Sequence, residues 1–203
     1  MTTERDYWER HARNYDASMR LLGGPLPRML ELASAAVRDK QVLEVAAGTG
    51  IVTTAIAQTA SNIVATDYAA AMVKKLEHRV RDARLANVRC EQADIYELRF
   101  APDTFDVVVA ANVLHLVPDL GRAIASIQRV LKPAGLLVAP TFCHDETKTA
   151  WLLSQLIALS GFPGHRRFTA RSLTDTLQHQ GLRIQRSETL SGLIPIGYVE
   201  GAF

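Results

Sequence analysis

The feature that most constrains the fold is a regular alternation of short apolar runs with helix-like stretches. The apolar runs lie at residues 41–45, 63–66, 88–94, 106–111 and 136–141. Turns or segments with apolar residues at helical spacing follow them, most clearly after Asp119, the expected N-cap of one helix. Strand-helix alternation of this kind requires right-handed crossovers between parallel strands. We therefore predict an α/β fold: a Rossmann-like, doubly wound, mostly parallel seven-stranded sheet with helices on both faces and an antiparallel last strand.

The two ends of the chain depart from this central pattern. Residues 1–38 predict an N-terminal helical cap, and residues 143–181 a helical segment with a loop that could cover a ligand crevice. Residues 182–203 predict two closing strands joined by a turn. Because no shift in composition marks a boundary, we expect a single domain over residues 1–203, with residues 40–142 as the cofactor-binding core.

Composition excludes several classes of protein. Lys and Arg total 23 against 21 Asp and Glu, a net charge of +2, so the charge does not favour nucleic acid as a partner. Cys90 and Cys143 are too few for a disulfide framework or a thiolate metal cage, and we expect no metal. No apolar run approaches the roughly 20 residues that span a bilayer, and no secretory signal is present. We expect a cytoplasmic protein without a membrane span, either a monomer or a homodimer.

Four predicted strands end in residues that suit a nucleoside ligand, which in an open parallel sheet collects beyond the carboxyl ends of the strands. Gly48-Thr49-Gly50 follows the first strand, and glycines there allow a tight turn and a close approach to a ligand. Asp67 ends the second strand, where a carboxylate can accept hydrogen bonds from both hydroxyls of a ribose. Asp94 ends the third strand and Ala111-Asn112 the fourth.

Two nucleoside cofactors fit this architecture. A dinucleotide site requires G-x-G-x-x-G or G-x-G-x-x-A, and reading from Gly48 places Thr53 where the third small residue belongs. The substitution weakens the hypothesis of an NAD(P)-dependent Rossmann oxidoreductase, which stays open as an alternative. A P-loop is excluded because no Gly-Lys-Ser/Thr follows.

Several motifs together resemble those of class I S-adenosylmethionine (SAM)-dependent methyltransferases. In chain order they are Val42–Gly50, Ala65–Tyr68, Ala93–Ile95, Phe105–His115 and Leu131–Gly135. The first resembles the family motif acid-x-G-x-G-x-G, with Glu44 as the acid and Ala46 in place of the first glycine. Within the family, the sequence is similar to the branch that contains quinone, small-molecule and bacterial phospholipid N-methyltransferases.

The resemblance implies SN2 transfer of a methyl group from SAM to a small-molecule or lipid-like acceptor, with S-adenosylhomocysteine (SAH) as product. A SAM-binding protein without turnover is a further alternative. The cofactor-binding residues that the resemblance implies are Tyr15, Glu44, Ala46, Ala47, Gly48, Gly50, Asp67, Tyr68, Met72, Asp94, Ile95, Ala111 and Asn112. If the acceptor must lose a proton, His115 is the candidate base, because an unperturbed histidine pKa suits proton removal near neutral pH. His144 and Asp145 are weaker candidates for the same role.

Overall fold

The computed structural model, which describes residues 7–9, 24–158, 162 and 164–203, is organised around one β-sheet. Its strands are β1 Gln41–Glu44, β2 Asn62–Asp67, β3 Val88–Gln92, β4 Phe105–Val109, β5 Leu131–Val138, β6 Thr141–Phe142, β7 Arg183–Leu190 and β8 Ile196–Ala202. The helices are α1 Leu26–Ala36, α2 Ile51–Ile56, α3 Ala70–Asp82, α4 Leu120–Val130, α5 Lys148–Ala158 and α6 Ala170–His179. Residues 7–9 are helical as well.

The strand order β3-β2-β1-β4-β5-β8 confirms a doubly wound, mostly parallel sheet. Strands β1 to β5 pair in parallel, and β8 runs antiparallel to β5, β6 and β7, as expected for the last strand. Because β1 lies between β2 and β4, the order of the strands reverses beside β1. Ligands of open α/β sheets bind at such reversals, at the carboxyl ends of the strands.

The predicted fifth strand is two strands in the structure, which gives eight strands where we expected seven. β5 ends at Val138, and β6 resumes at Thr141; both pair with β8. Pro140 lies in the gap and has no amide hydrogen for a ladder, which accounts for the break. Its carbonyl oxygen instead accepts a hydrogen bond from the backbone N–H of Asn112, at 2.7 Å.

Helices cover both faces of the sheet, as the sequence predicts. Alternate residues of β1 face opposite layers, Val42 toward the side of α1, α2 and α3 and Leu43 toward the side of α4 and α6. The expected N-cap of α4 is confirmed, because Asp119 Oδ1 accepts a hydrogen bond from the backbone N–H of Arg122 at 3.0 Å. In the described ranges, no helix has the length and apolar character that crossing a bilayer demands.

Candidate functional site

A cleft opens beyond the carboxyl ends of β1, β2 and β4. Residues at the strand ends that the sequence predicted to bind a cofactor form much of its wall. Those that line it are Ala46, Gly48, Asp67, Tyr68, Met72, Asp94, Ile95, Ala111 and Asn112.

A smaller pocket adjoins the cleft and accounts for two more predicted residues, Glu44 and Ala47. The two cavities share Ala46, Ala111 and Asn112 as walls. Gly50, by contrast, lines neither of them. Tyr15 lies outside the described residues, so its proximity to a cofactor stays a prediction.

The loop after β1 turns through three residues with left-handed backbone conformations, Ala46 (φ +53°), Gly48 (φ +57°) and Gly50 (φ +86°). At Gly50 a β-carbon would lie 2.7 Å from Leu76 Cδ1, so the glycine is also required for the approach of α2 to α3. Ala46 adopts the same left-handed region with a side chain. The loop therefore keeps its shape at the position where the family has glycine, at the energetic cost of a strained alanine.

Asp67 joins the loop after β1 to the loop after β2. Its Oδ2 accepts a hydrogen bond from the backbone N–H of Gly48, and its Oδ1 accepts one from Ala69, both at 2.9 Å. Burial raises the pKa of this carboxyl group, and the backbone N–H donors oppose that shift. Because an ionised carboxylate offers about four lone-pair sites, Asp67 can still accept hydroxyl groups of a ligand in the cleft.

Glu44 is fully buried and is paired with Thr53, whose hydroxyl donates to Glu44 Oε2 at 2.6 Å. Burial raises the pKa of Glu44 to about 8, and the charge of Asp67 adds to this shift. The pairing supplies a physical reason for Thr53, which stands where a dinucleotide fingerprint would have a small residue. The fingerprint considers only the size of the residue at this position, so it does not predict the hydrogen bond between Thr53 and Glu44.

Asn112 carries an unused acceptor into the site. Its Oδ1 is buried and has no hydrogen-bond partner within the part of the chain that the structure describes, while its backbone has φ +53°, a conformation that asparagine tolerates. We placed Asn112 at the end of the fourth strand, but β4 ends at Val109, and Asn112 belongs to the loop that follows. A buried amide oxygen without a partner requires a donor, which a ligand can supply.

Asp94 follows β3 at the edge of the cleft and is exposed to solvent. Its Oδ1 accepts a hydrogen bond from the backbone N–H of Tyr96 at 2.9 Å and shapes the loop. The carboxylate retains further acceptor capacity, and Ile95 lines the cleft beside it.

His115 does not itself line the cleft, although its chain neighbours Val113 and Leu116 do, and our expectation of an ordinary histidine pKa there is wrong. The residue is 2% exposed, and burial together with the neighbouring His144 lowers its pKa to about 3. His115 is therefore neutral at pH 7. Its assignment as a catalytic base rests on position alone and stays a prediction.

The structure also places residues at the cleft that our site prediction lacks. They are Ala93, Tyr96, Val113, Leu116, Val117 and Pro118. The mostly apolar stretch 113–117 directly follows the fourth strand, and that position was the available signal. Trp8, an N-terminal aromatic residue that we expect to close over the cofactor or to line the acceptor pocket, lines the cleft as well, and a contact distant along the chain brings it there.

That contact is made by Glu9, the neighbour of Trp8. The carboxylate oxygens of Glu9 accept hydrogen bonds from the backbone N–H groups of Ala70 and Ala71, at 2.8 and 2.9 Å. These groups belong to the first turn of α3, which has no capping side chain of its own. Glu9 thus caps α3 and fixes Trp8 at the cleft.

Known proteins with similar sequences include methyltransferases. A model of the methyltransferase domain matches residues 43–139. The ubiquinone/menaquinone biosynthesis C-methyltransferase UbiE of Idiomarina loihiensis is 33% identical over 152 residues, 71% of this chain and 61% of that protein. The malonyl-[acyl-carrier protein] O-methyltransferase of Halorhodospira halophila is 31% identical over 146 residues, 69% of this chain and 49% of that protein.

Solved structures share the fold at lower identity. A SAM-dependent methyltransferase from Aquifex aeolicus has a TM-score of 0.74 and 18% identity, and the match covers 96% of this chain and 98% of that one. The two curated relatives are longer than the match, and the chain covers 61% and 49% of their lengths.

Proposed function

We propose that this chain is a class I SAM-dependent methyltransferase that binds SAM in the cleft and transfers its methyl group to a small-molecule acceptor. The methyltransferase-domain match over residues 43–139 and the methyltransferase relatives support this assignment. The observation that carries the activity is the arrangement of the cleft. The loops after β1, β2, β3 and β4 converge there, and acceptor groups of Asp67, Asp94 and Asn112 surround one cavity.

The residues present fit SAM. Asp67, already joined to Gly48, would accept hydroxyl hydrogens of the ribose. Asp94, with the adjacent backbone of Ile95, would hold the adenine. Asn112 lines both cavities, and Glu44 lines the smaller one. The unpartnered Oδ1 of Asn112 and the carboxyl group of Glu44 would accept hydrogen bonds from the amino group of the methionine part of SAM. When bound, SAM supplies a methyl group activated by the positive sulfur.

The protein's own contribution is position and exclusion of water. The leaving group is already activated, so holding the acceptor in line with the methyl group supplies much of the rate acceleration. Trp8, Val113, Leu116 and Val117 form an apolar part of the cleft wall that would keep water from the reacting atoms. Residues 40–142 would act as the cofactor-binding core of a single domain.

One relative is a C-methyltransferase of ubiquinone and menaquinone biosynthesis, and another is an O-methyltransferase of malonyl-[acyl-carrier protein]. We propose a small molecule or lipid-like acceptor for this chain.

The test is calorimetric titration of the purified protein with SAH and with NAD(P), followed by a transfer assay with SAM labelled in its methyl group and a metabolite extract. We expect SAH to bind, NAD(P) not to bind, and label to pass into a small molecule. Binding of NAD(P) alone would establish the oxidoreductase alternative, and SAH binding without any transfer would favour a binding protein without turnover.

Asp67→Ala gives the residue-level test. We expect SAH affinity to fall by about 1–3 kcal/mol, because ribose hydroxyls lose their acceptor and the tie to Gly48 is broken. Asp106→Ala is the matched control, because Asp106 also accepts a backbone N–H, from Gln41, but at the start of β4 on the opposite edge of the sheet. If both variants bind SAH as the unaltered protein does, Asp67 is not the ribose ligand.

A further inference from the structure

Two buried histidines lie side by side next to the cleft. The ring centroids of His115 and His144 are 5.3 Å apart, and the residues are only 2% and 6% exposed. Two aromatic rings surround the pair: Phe142, at 6.2 Å from each histidine ring, and Phe162, at 6.1 and 6.4 Å. Together these four residues form what we call the histidine pocket.

Each histidine has a buried ring nitrogen without a partner among the described residues. These atoms are Nδ1 of His115 and Nε2 of His144. Burial lowers the pKa of His115 to about 3 and that of His144 to about 4. Both rings are therefore neutral at pH 7, so each has one N–H donor and one bare acceptor nitrogen.

Ser154 fixes which nitrogen of His144 is bare. Nδ1 of His144 lies 2.6 Å from the hydroxyl oxygen of Ser154, and that hydroxyl donates its only hydrogen to the carbonyl oxygen of Ala150 at 2.7 Å. The serine oxygen can therefore act only as acceptor toward His144, which requires the proton on Nδ1. Nε2 is left as a bare, buried acceptor held in place by α5.

The histidine pocket lies on the same edge of the sheet as the cleft. His115 follows β4 and His144 follows β6, the continuation of β5. Val113 and Leu116, on either side of His115 in the chain, line the cleft. Trp8 lines it as well, and its ring centroid is 6.0 Å from that of Phe162. An acceptor in the cleft could thus extend one end to the histidines.

We propose that the histidine pocket binds a hydroxyl group on a flat, aromatic methyl acceptor, with Nε2 of His144 as the hydrogen-bond acceptor. This assignment rests on the proposed methyl transfer and names the substrate class for it. A neutral hydroxyl suits the pair because it can donate its one hydrogen to Nε2 of His144 and accept a hydrogen bond from Nδ1 of His115 when that nitrogen carries the proton.

Other groups suit the pocket less well. A carboxylate cannot donate to Nε2 of His144. A cationic amine would be buried among uncharged rings, and the positive charge of Arg167, which also lowers the pKa of His144, opposes it. The phenylalanine rings favour a flat partner through edge and face contacts.

The experiment compares two probes of equal shape, 1-naphthol and 1-methylnaphthalene, whose binding is measured by ligand-observed NMR in the presence of saturating SAH. We expect the unaltered protein to bind 1-naphthol about tenfold more tightly, the effect of one buried hydrogen bond. His144→Phe keeps an aromatic ring but removes the nitrogen, and it should abolish this preference. Ser154→Ala should reduce the preference, because the tautomer of His144 is no longer fixed.

His179→Gln is the control, since His179 is exposed on α6 and its Nδ1 contacts only the carbonyl oxygen of Asp175. It should leave the preference unchanged. We expect the SAH affinity of every variant to stay within about twofold of that of the unaltered protein. Such an affinity shows that the variant is folded. Nitrogen-15 NMR of the histidines should find the hydrogen of His144 on Nδ1.

Equal binding of the two probes by the unaltered protein would overturn the proposal. So would a preference that survives in His144→Phe, because the hydroxyl group would then be bound elsewhere than at Nε2 of His144. A hydrogen found on Nε2 of His144 would have the same consequence. Failure of the unaltered protein to bind SAH would instead contradict the proposed function, so the two failures can be distinguished.

Discussion

Ala46 holds a backbone conformation that is unfavourable for a residue with a side chain. Its φ of +53° lies in the left-handed region, which costs a non-glycine residue roughly 1–2 kcal/mol. Glycine relieves this strain but gains freedom in the unfolded chain, which offsets part of the benefit. We expect Ala46→Gly to raise the free energy of unfolding by up to about 1 kcal/mol, as measured by urea denaturation.

The neighbouring alanine provides the control for this prediction. Ala47 has no left-handed φ, so Ala47→Gly should lower the free energy of unfolding by about 0.5–1 kcal/mol through entropy alone. Opposite signs for the two variants would identify strain as the cause. A loss of stability in Ala46→Gly would show that the methyl group makes contacts that outweigh the strain.

Glu44 makes stability depend on pH in a direction opposite to that of most carboxyl groups. Burial raises its pKa from 4.5 to about 8, so the folded protein keeps a proton that the unfolded chain releases above its own lower pKa. Folding then takes up a proton, and this contribution to stability is lost as pH rises from about 4.5 to about 8.

Glu44→Gln removes this dependence and retains an oxygen for the Thr53 hydroxyl. We expect the stability of the unaltered protein relative to this variant to fall by up to about 1.4 kcal/mol per pH unit within that window. Urea denaturation of both proteins at pH 5.5 and 7.5 measures the change. Glu97→Gln, on the surface, is the control for loss of a carboxyl group, and a constant difference for Glu44→Gln would mean that Glu44 is ionised when folded.

Helix α3 depends on a cap supplied from far along the chain. Because the oxygens of Glu9 accept from Ala70 and Ala71, Glu9→Ala leaves these two backbone N–H groups without their acceptors. We expect a loss of about 1 kcal/mol in the free energy of unfolding, the usual cost of losing a cap. SAH affinity should fall as well, because Trp8 and the loop after β2 both depend on this contact.

Calorimetry with SAH and urea denaturation measure the two effects of Glu9→Ala. Glu77→Ala is the matched control, since Glu77 is an exposed glutamate within the same helix. It should change neither quantity by more than about 0.5 kcal/mol. Unchanged SAH affinity in Glu9→Ala would show that Glu9 caps α3 without supporting the cleft.

The elements themselves were largely predictable from the sequence because their signals are local. Apolar runs predicted β1 to β4, and Asp119 predicted the start of α4. The break at Pro140 also has a local cause, the missing amide hydrogen, but the continuous apolar run around it favoured one strand. The cap by Glu9 had no local signal, because its partners are about sixty residues away in the sequence.

At the scale of the whole molecule, the position of the site was more predictable than the environment of its individual side chains, because the topology of the sheet fixes that position. Parallel strands bring their carboxyl ends to one edge, so residues such as Asp67 and Asp94 could be placed together from strand ends alone. The histidine pocket could not, because the burial that lowers the pKa of His115 depends on how distant segments pack. Charge and burial, unlike periodicity, are properties of the folded chain.

The location of the cleft predicts which part of the molecule SAH protects from hydrogen exchange. A ligand at one hundred times its dissociation constant stabilises the folded protein by about 2.7 kcal/mol, so amides that exchange only when the cleft opens should slow about a hundredfold. The slowed amides should lie in the loops after β1, β2, β3 and β4, where Gly48, Tyr68, Ile95 and Asn112 line the cavity.

Amides at the opposite edge of the sheet that exchange by local opening should not slow, since a ligand in the cleft does not contact them. Gln41, whose N–H donates to Asp106, is a suitable internal reference at that edge. Exchange measured by mass spectrometry with and without SAH separates the two edges. Slowing confined to Gln41 and its neighbours would place SAH outside the cleft. It would also remove the reason for assigning Asp67 to the ribose, because that assignment depends on the ligand contacting the strand ends that Asp67 joins.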